Sequence, residues 1–252
     1  MKSSFLPISI FQKEPYSSIL GYPKASKRQI TSRISELKKL GITKVSFQGQ
    51  TQIGNLRILG KGYVGVVVLA KKRNNLVALK IRRIDSQRDG MRNEARLLKS
   101  ANKAKVGPKF IASSKNFILM EYLNGEKVSD WVASVSGRGG AGKIKQTIRS
   151  ILEECYKLDS SNIDHGELSS ISKHVIVGKK ITLIDFESSS TKRKVSNVTS
   201  ATQAIFIGSG ISKKVGRLYK IPPREKIIDA LRDYKHKKDR KGFDDILKVL
   251  KV

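Results

Sequence analysis

One segment constrains the fold more than any other: the glycine-rich run Gly60-Lys61-Gly62-Tyr63-Val64-Gly65-Val66-Val67, set between two strand-like stretches. The pattern G-x-G-x-x-G-x-V serves a dinucleotide-binding fold only where its glycines open a helix. Here Ile53, Leu56 and Ile58 come before it, and Val66-Val67-Val68-Leu69 comes after. Leu76-Val77-Ala78-Leu79 follows beyond a break at Asn74-Asn75. Strands on both sides predict an antiparallel hairpin, whose bare backbone can close over phosphate groups. By itself the pattern also fits a glycine-rich structural turn, so its meaning depends on what surrounds it.

The rest of the chain reads as strands first and helices later, an α+β arrangement. A meander spans Val45 to Leu79. Met91 to Ala104 has helical periodicity, Phe117-Ile118-Leu119-Met120 is a buried strand, and Ile144 to Leu158 is a helix with Ile148, Ile151, Leu152 and Cys155 on its apolar side. Val175-Ile176-Val177 and Ile181-Thr182-Leu183-Ile184 flank Gly178-Lys179-Lys180 as a compact hairpin. The first fifty residues, with a helical stripe at Ile34, Leu37 and Leu40 that stops at Gly41, read as a basic N-terminal extension. Beyond residue 212 the chain is helical and basic.

Length and charge narrow the classes. A chain of 252 residues supports one or two domains. Lys and Arg number 51 against 21 Asp and Glu, and a net charge of +30 implies a large anionic partner, with nucleic acid or a ribonucleoprotein first. Little aromatic interleaving accompanies the basic clusters at Lys71-Lys72-Arg73, Arg82-Arg83 and Lys192-Arg193-Lys194, so phosphate-backbone contact is expected over base stacking. No apolar run is long enough for a transmembrane helix, and Met1-Lys2-Ser3-Ser4-Phe5 lacks a signal-peptide core, so the expected location is cytoplasmic. The single cysteine, Cys155, excludes an intramolecular disulfide and a cysteine zinc cluster.

Val77-Ala78-Leu79-Lys80 ends an apolar strand on a lysine, which needs an anionic partner when buried. Asp85, Asp89 and Glu94 are the acids between Lys80 and Glu121. Glu94 shares a helical stripe with Met91 and Leu98, so it faces the core and is the expected partner of Lys80. A solvated Glu94 on a surface helix is the alternative. Two later segments carry acids, Ile163-Asp164-His165-Gly166-Glu167-Leu168 and Leu183-Ile184-Asp185-Phe186-Glu187, and the apolar run Ile181 to Ile184 puts Asp185 at a strand end.

Taken in order, these segments resemble the protein-kinase-like superfamily, and within it the RIO kinases and the small kinase of the tRNA-modifying KEOPS complex, over roughly residues 54 to 190. The resemblance implies a two-lobed fold, with an antiparallel small lobe at 51–123 and a reduced helical large lobe at 124–252. It implies ATP and Mg²⁺ as cofactors and a serine or threonine hydroxyl of a protein as acceptor. Gly60, Lys61, Gly62, Gly65, Val67, Ala78, Lys80 and Glu94 would bind nucleotide, with Met120, Glu121 and Leu123 meeting the adenine. Asp185 takes the place of the metal-binding aspartate of D-F-G, Glu167 the place of the catalytic base, and Ser172 the place of the second metal ligand. His165 would brace the catalytic loop.

The chain departs from the family pattern at three places. Glutamate stands at 167 where aspartate is the norm, and a carboxylate displaced by about 1.5 Å can cost on the order of 100-fold in rate. Ser172 replaces an asparagine, with His174 or Lys173 as candidates to pair phosphate instead. Glu187 replaces the glycine of D-F-G. An ATP-binding pseudokinase or an ATPase within a nucleic-acid- or ribosome-associated protein is therefore the rival expectation. A second phosphate-loop pattern, Gly137-Arg138-Gly139-Gly140-Ala141-Gly142-Lys143, is followed by Ile144 where Ser or Thr is needed, and reads as a flexible loop before a helix.

Overall fold

The computed structural model describes residues 4–208 and 210–252, so Met1 to Ser3 of the expected extension lie outside it. Among the described residues the chain is a mixed α+β protein of two compact units: unit 1 holds residues up to Arg96 and Pro108–Leu123, unit 2 holds Leu97–Gly107 and the residues from Asn124 on.

In unit 1 the chain runs through β1 (Leu6–Pro7), α1 (Tyr16–Leu20), α2 (Lys27–Lys39), β2 (Ile42–Ser46), the small hairpin β3 (Thr51–Ile53) and β4 (Leu56–Ile58), then β5 (Gly60–Lys61), β6 (Gly65–Lys72) and β7 (Asn75–Arg82). Helix α3 (Arg92–Lys103) begins in this unit and continues into the other, and β8 (Phe110–Ser113) and β9 (Phe117–Glu121) return to it. Among the described residues seven strands form one antiparallel sheet, ordered β1-β2-β6-β7-β9-β8, with β5 on β6. Alternation along the strands gives the sheet two different faces. Val66, Val68, Ala70, Val77, Leu79, Ile81, Phe117 and Leu119 point to one side and pack with Phe11, Ile19, Leu20, Ile34 and Leu37. The segment expected as an extension is thus built into the core: β2 pairs β6, and α2, started by a Ser26–Gln29 capping box, covers the sheet's apolar face. A sheet with an exposed apolar face needs such a cover.

Unit 2 contains β10 (Gly125–Lys127), α4 (Val128–Ser134), α5 (Gly140–Ser160), the short α6 (Ile171–His174), the hairpin β11 (Val175–Gly178) and β12 (Ile181–Leu183), and then α7 (Asn197–Gln203), α8 (Gly210–Leu218), α9 (Arg224–Lys237) and α10 (Arg240–Leu250). β10, β11 and β12 form a small antiparallel sheet. Helix α5 begins at Gly140, four residues before the expected start. Gly140 to Lys143 are therefore helical, and the turn before them is made by Gly137 and Gly139 at positive φ. Ile144, Ile148, Ile151, Leu152, Cys155 and Leu158 bury one side of α5. At its end the buried Asp159 accepts bonds from the main-chain N–H groups of Asn197 and Val198, the Asn197 amide and the Tyr234 hydroxyl. That carboxylate joins α5, α7 and α9 by satisfying donors that would otherwise be buried without partners. No helix among the described residues is long and apolar enough to cross a membrane.

Candidate functional site

The face of the unit 1 sheet opposite its core carries most of the residues marked for nucleotide. Pairing sets Val67, Lys80 and Ile118 abreast on β6, β7 and β9, and Leu69, Ala78 and Met120 abreast one step along. At the sheet's end, β5 pairs β6 through Gly60↔Val67 and Lys61↔Val66, and Gly62 N–H donates to the Gly65 carbonyl at 2.8 Å. The glycine-rich run is thus a hairpin, as its flanks predict, with Tyr63 at its exposed tip. Gly65 is required by close approach. A Cβ there would lie 2.9 Å from the Ile81 carbonyl oxygen and 3.1 Å from Cγ of Lys80. Lys61 does not point freely from the hairpin: its Nζ donates to the Tyr22 hydroxyl at 2.6 Å and lies over that ring.

Lys80 is 4% exposed and Glu94 is 6% exposed, and Lys80 Nζ meets Glu94 Oε1 at 2.7 Å. Glu94 lies in the first turn of α3, with Met91 and Leu98 buried on the same stripe. Burying both charges is tolerable only with such close geometry. Of the main-chain groups expected to meet adenine, the Glu121 N–H is already donated to the Lys109 carbonyl at 2.9 Å.

In unit 2 the segment from Asp164 to Leu168 is tied to the chain after Asp185. Asp164 and Ser190 exchange main-chain hydrogen bonds at 2.9 and 2.8 Å. His165 is fully buried, its main-chain N–H donates to Asn197 Oδ1, and its ring Nε2 donates to the Ile184 carbonyl at 3.0 Å. Phe186 packs on the same ring. Desolvation, assisted by the neighbouring His174, holds the His165 pKa down to about 4, so the ring is neutral near pH 7. His165 is a brace between the loop and the strand end. Gly166 has φ of +88°, and a Cβ there would fall 2.7 Å from the Ser188 carbonyl and collide with the Arg193 guanidinium. Arg193 holds Asp164 at 2.5 Å and the Ser188 carbonyl at 2.8 Å.

Glu167 is half-buried, and its two oxygens face different groups. Oε1 accepts from the Ser188 hydroxyl at 2.7 Å, while Oε2 lies 3.3 Å from His174 Nε2. Asp185 follows β12 with φ of +71°, a left-handed turn that Asp tolerates better than most residues. One donor atom each from Glu167, His174 and Asp185 lies within 4.8 Å of the others. The two carboxylates fit a dication, but magnesium prefers an all-oxygen shell, so the imidazole makes a poor fit to Mg²⁺. A recess of about 330 Å³ is lined by residues that include Asp164, Gly166, Ser169, Arg193, Ser196 and Ser200, and by none of the three donors.

Ser172, the expected second metal ligand, lies half-buried in α6, and the residue that α6 brings to Asp185 is His174. Lys173 is exposed, whereas His174 is buried and faces a carboxylate. Ser188 and Arg193 were not marked by any motif. A serine three residues past Asp185 and a basic run at 192–194 are the signals they left.

No protein-family model matches the chain. An uncharacterized protein of Methanocaldococcus jannaschii is 27% identical over 96 residues, which cover 38% of this chain and 79% of that protein.

Proposed function

We propose that the chain is an ATP-dependent phosphotransferase with a two-lobed, protein-kinase-like fold, acting on a serine or threonine hydroxyl of a protein. The observation that carries this reading is the buried Lys80–Glu94 pair at 2.7 Å, set on the sheet face that also presents Val67, Ala78 and Met120 beside the glycine hairpin. A lysine held this way keeps its ammonium in place for phosphate oxygens. On this reading Gly60, Gly62 and Gly65 would keep side chains away from the phosphates, and Met120, Glu121 and Leu123 would meet the adenine. In unit 2, Asp185 is the residue to hold a dication. Glu167 is the residue to receive a proton: its Oε1 already accepts from an alcohol at 2.7 Å, the reach a general base needs. As the acceptor oxygen bonds to the γ-phosphorus, the bond to the bridging oxygen breaks, ADP leaves, and the hydroxyl proton passes to Glu167.

Titration with a fluorescent ATP analogue tests the nucleotide half. Lys80→Met is expected to weaken binding by about tenfold or more, since one charged contact to phosphate is worth on the order of 1.5–3 kcal/mol. Unchanged affinity would count against the site.

The rival reading is an ATP-binding pseudokinase or ATPase in a nucleic-acid- or ribosome-associated protein. Glutamate at 167 and serine at 172, where the family pattern has aspartate and asparagine, favour it. Both readings share a polyanionic partner and a cytoplasmic location. RNA affinity is expected to fall steeply between low and physiological salt. A flat salt response would remove the polyanion.

A further inference from the structure

We infer that Glu167, His174 and Asp185 form a binding site for a first-row transition-metal dication, in preference to Mg²⁺. The three donors come from a loop, the end of α6 and the end of β12, and main-chain bonds fix their spacing. Ile184 N–H donates to the His174 carbonyl at 2.9 Å, and Val175 pairs with Leu183 in the hairpin that follows. His174 and Asp185 are therefore held together whatever their side chains do.

The imidazole of His174 is 8% exposed as a residue, and its Nε2 faces Glu167 Oε2 at 3.3 Å, long for a hydrogen bond. Its Nδ1 has no hydrogen-bond partner among the described residues. His174 rather than His165 is the imidazole grouped with the two carboxylates: one oxygen of each carboxylate lies within 4.8 Å of the other and of a His174 ring nitrogen. Donors bonded to one ion at roughly 2 Å lie at most about 4 Å apart, so the ion draws a slightly open set inward. Imidazole discriminates between ions: Mg²⁺ takes oxygen ligands and retains water, whereas Mn²⁺, Fe²⁺ and Zn²⁺ accept a nitrogen beside carboxylates. Glu167 can serve both roles, with Oε2 toward the ion and Oε1 toward a hydroxyl. The site lies within unit 2 and does not depend on nucleotide.

The test is electron paramagnetic resonance on the full chain, stripped with chelator, titrated with Mn²⁺ without nucleotide, and compared with His174→Gln and His236→Ala. His236 is the exposed histidine of α9 and controls for adventitious binding. The expected result is saturable binding with an imidazole nitrogen coupled to the manganese spin, and displacement by Mg²⁺ only at roughly tenfold or more excess. His174→Gln should weaken Mn²⁺ binding by about tenfold or more and remove the coupling, with an unchanged melting midpoint in chelator, while His236→Ala alters neither. No nitrogen coupling in the wild type at saturation overturns the inference, even if His174→Gln does not fold. So does equal competition by Mg²⁺, or coupling that disappears in His236→Ala. Failure of ATP binding leaves this result standing, and the reverse holds too.

Discussion

Lys80 and Glu94 are ordinary residues whose meaning comes from burial. A surface pair of this kind would contribute little, but a buried one makes each charge depend on the other. Lys80→Met is expected to destabilise the protein by on the order of 3 kcal/mol, while the double variant Lys80→Met/Glu94→Gln regains most of the loss. Urea unfolding of the wild type, Lys80→Met, Glu94→Gln and the double variant measures this, and an additive double variant would contradict it. His165 carries a different prediction. Its folded pKa of about 4 lies below the usual 6.5, so its contribution is complete above pH 6.5 and is lost as pH falls toward 4. In chelator, the wild type should lose roughly 2–3 kcal/mol more than His165→Gln between pH 7 and pH 4.5. Parallel pH profiles would refute the burial argument. At this scale the sequence was readable where chemistry and periodicity coincide: Glu94 shares a stripe with two apolar residues, and Asp185 ends an apolar run. The approach of His174 to Glu167 was harder to read, because it depends on the one-turn helix α6, which leaves no periodic signature in four residues.

Among the elements, the glycine hairpin, β7, α3, β9 and the β11–β12 hairpin follow the sequence rhythm closely. Alternation even separates the two faces of the unit 1 sheet, since Val66, Val68 and Ala70 enter the core while Val67 and Leu69 face away. The role of the first fifty residues was not legible from their charge. Their apolar members Ile8, Phe11, Ile19 and Leu20 lie in helical segments of only five residues, too short to show a periodic stripe, and they meet the sheet in the unit 1 core. A chain shortened to begin at Thr51 is therefore expected to expose the Val66–Val68–Leu79–Ile81 face and to lose cooperative unfolding. Circular dichroism during urea titration reads the outcome, and a sharp wild-type-like transition would contradict the core described for unit 1. The start of α5 shows the opposite limit. Four residues containing two glycines read as loop, yet the helix extends through them because Gly140 is buried against Val135.

For the whole molecule, two things have to be reconciled: the proposed nucleotide site and a net charge of +30. The charge favours attraction of a polyanion and says nothing of the fold. In the proposed reading the chemistry rests on Glu167, and its activity is what separates a phosphotransferase from an ATP-binding pseudokinase. Incubation of the pure protein with γ-labelled ATP and a protein acceptor, in parallel with Mn²⁺ and with Mg²⁺, beside Lys80→Met, Glu167→Gln and Asp185→Ala, tests that choice most directly. The account predicts transfer of label to serine or threonine in the wild type, with each variant reduced by about 100-fold or more. No transfer with either ion, or transfer that survives all three substitutions, would contradict it.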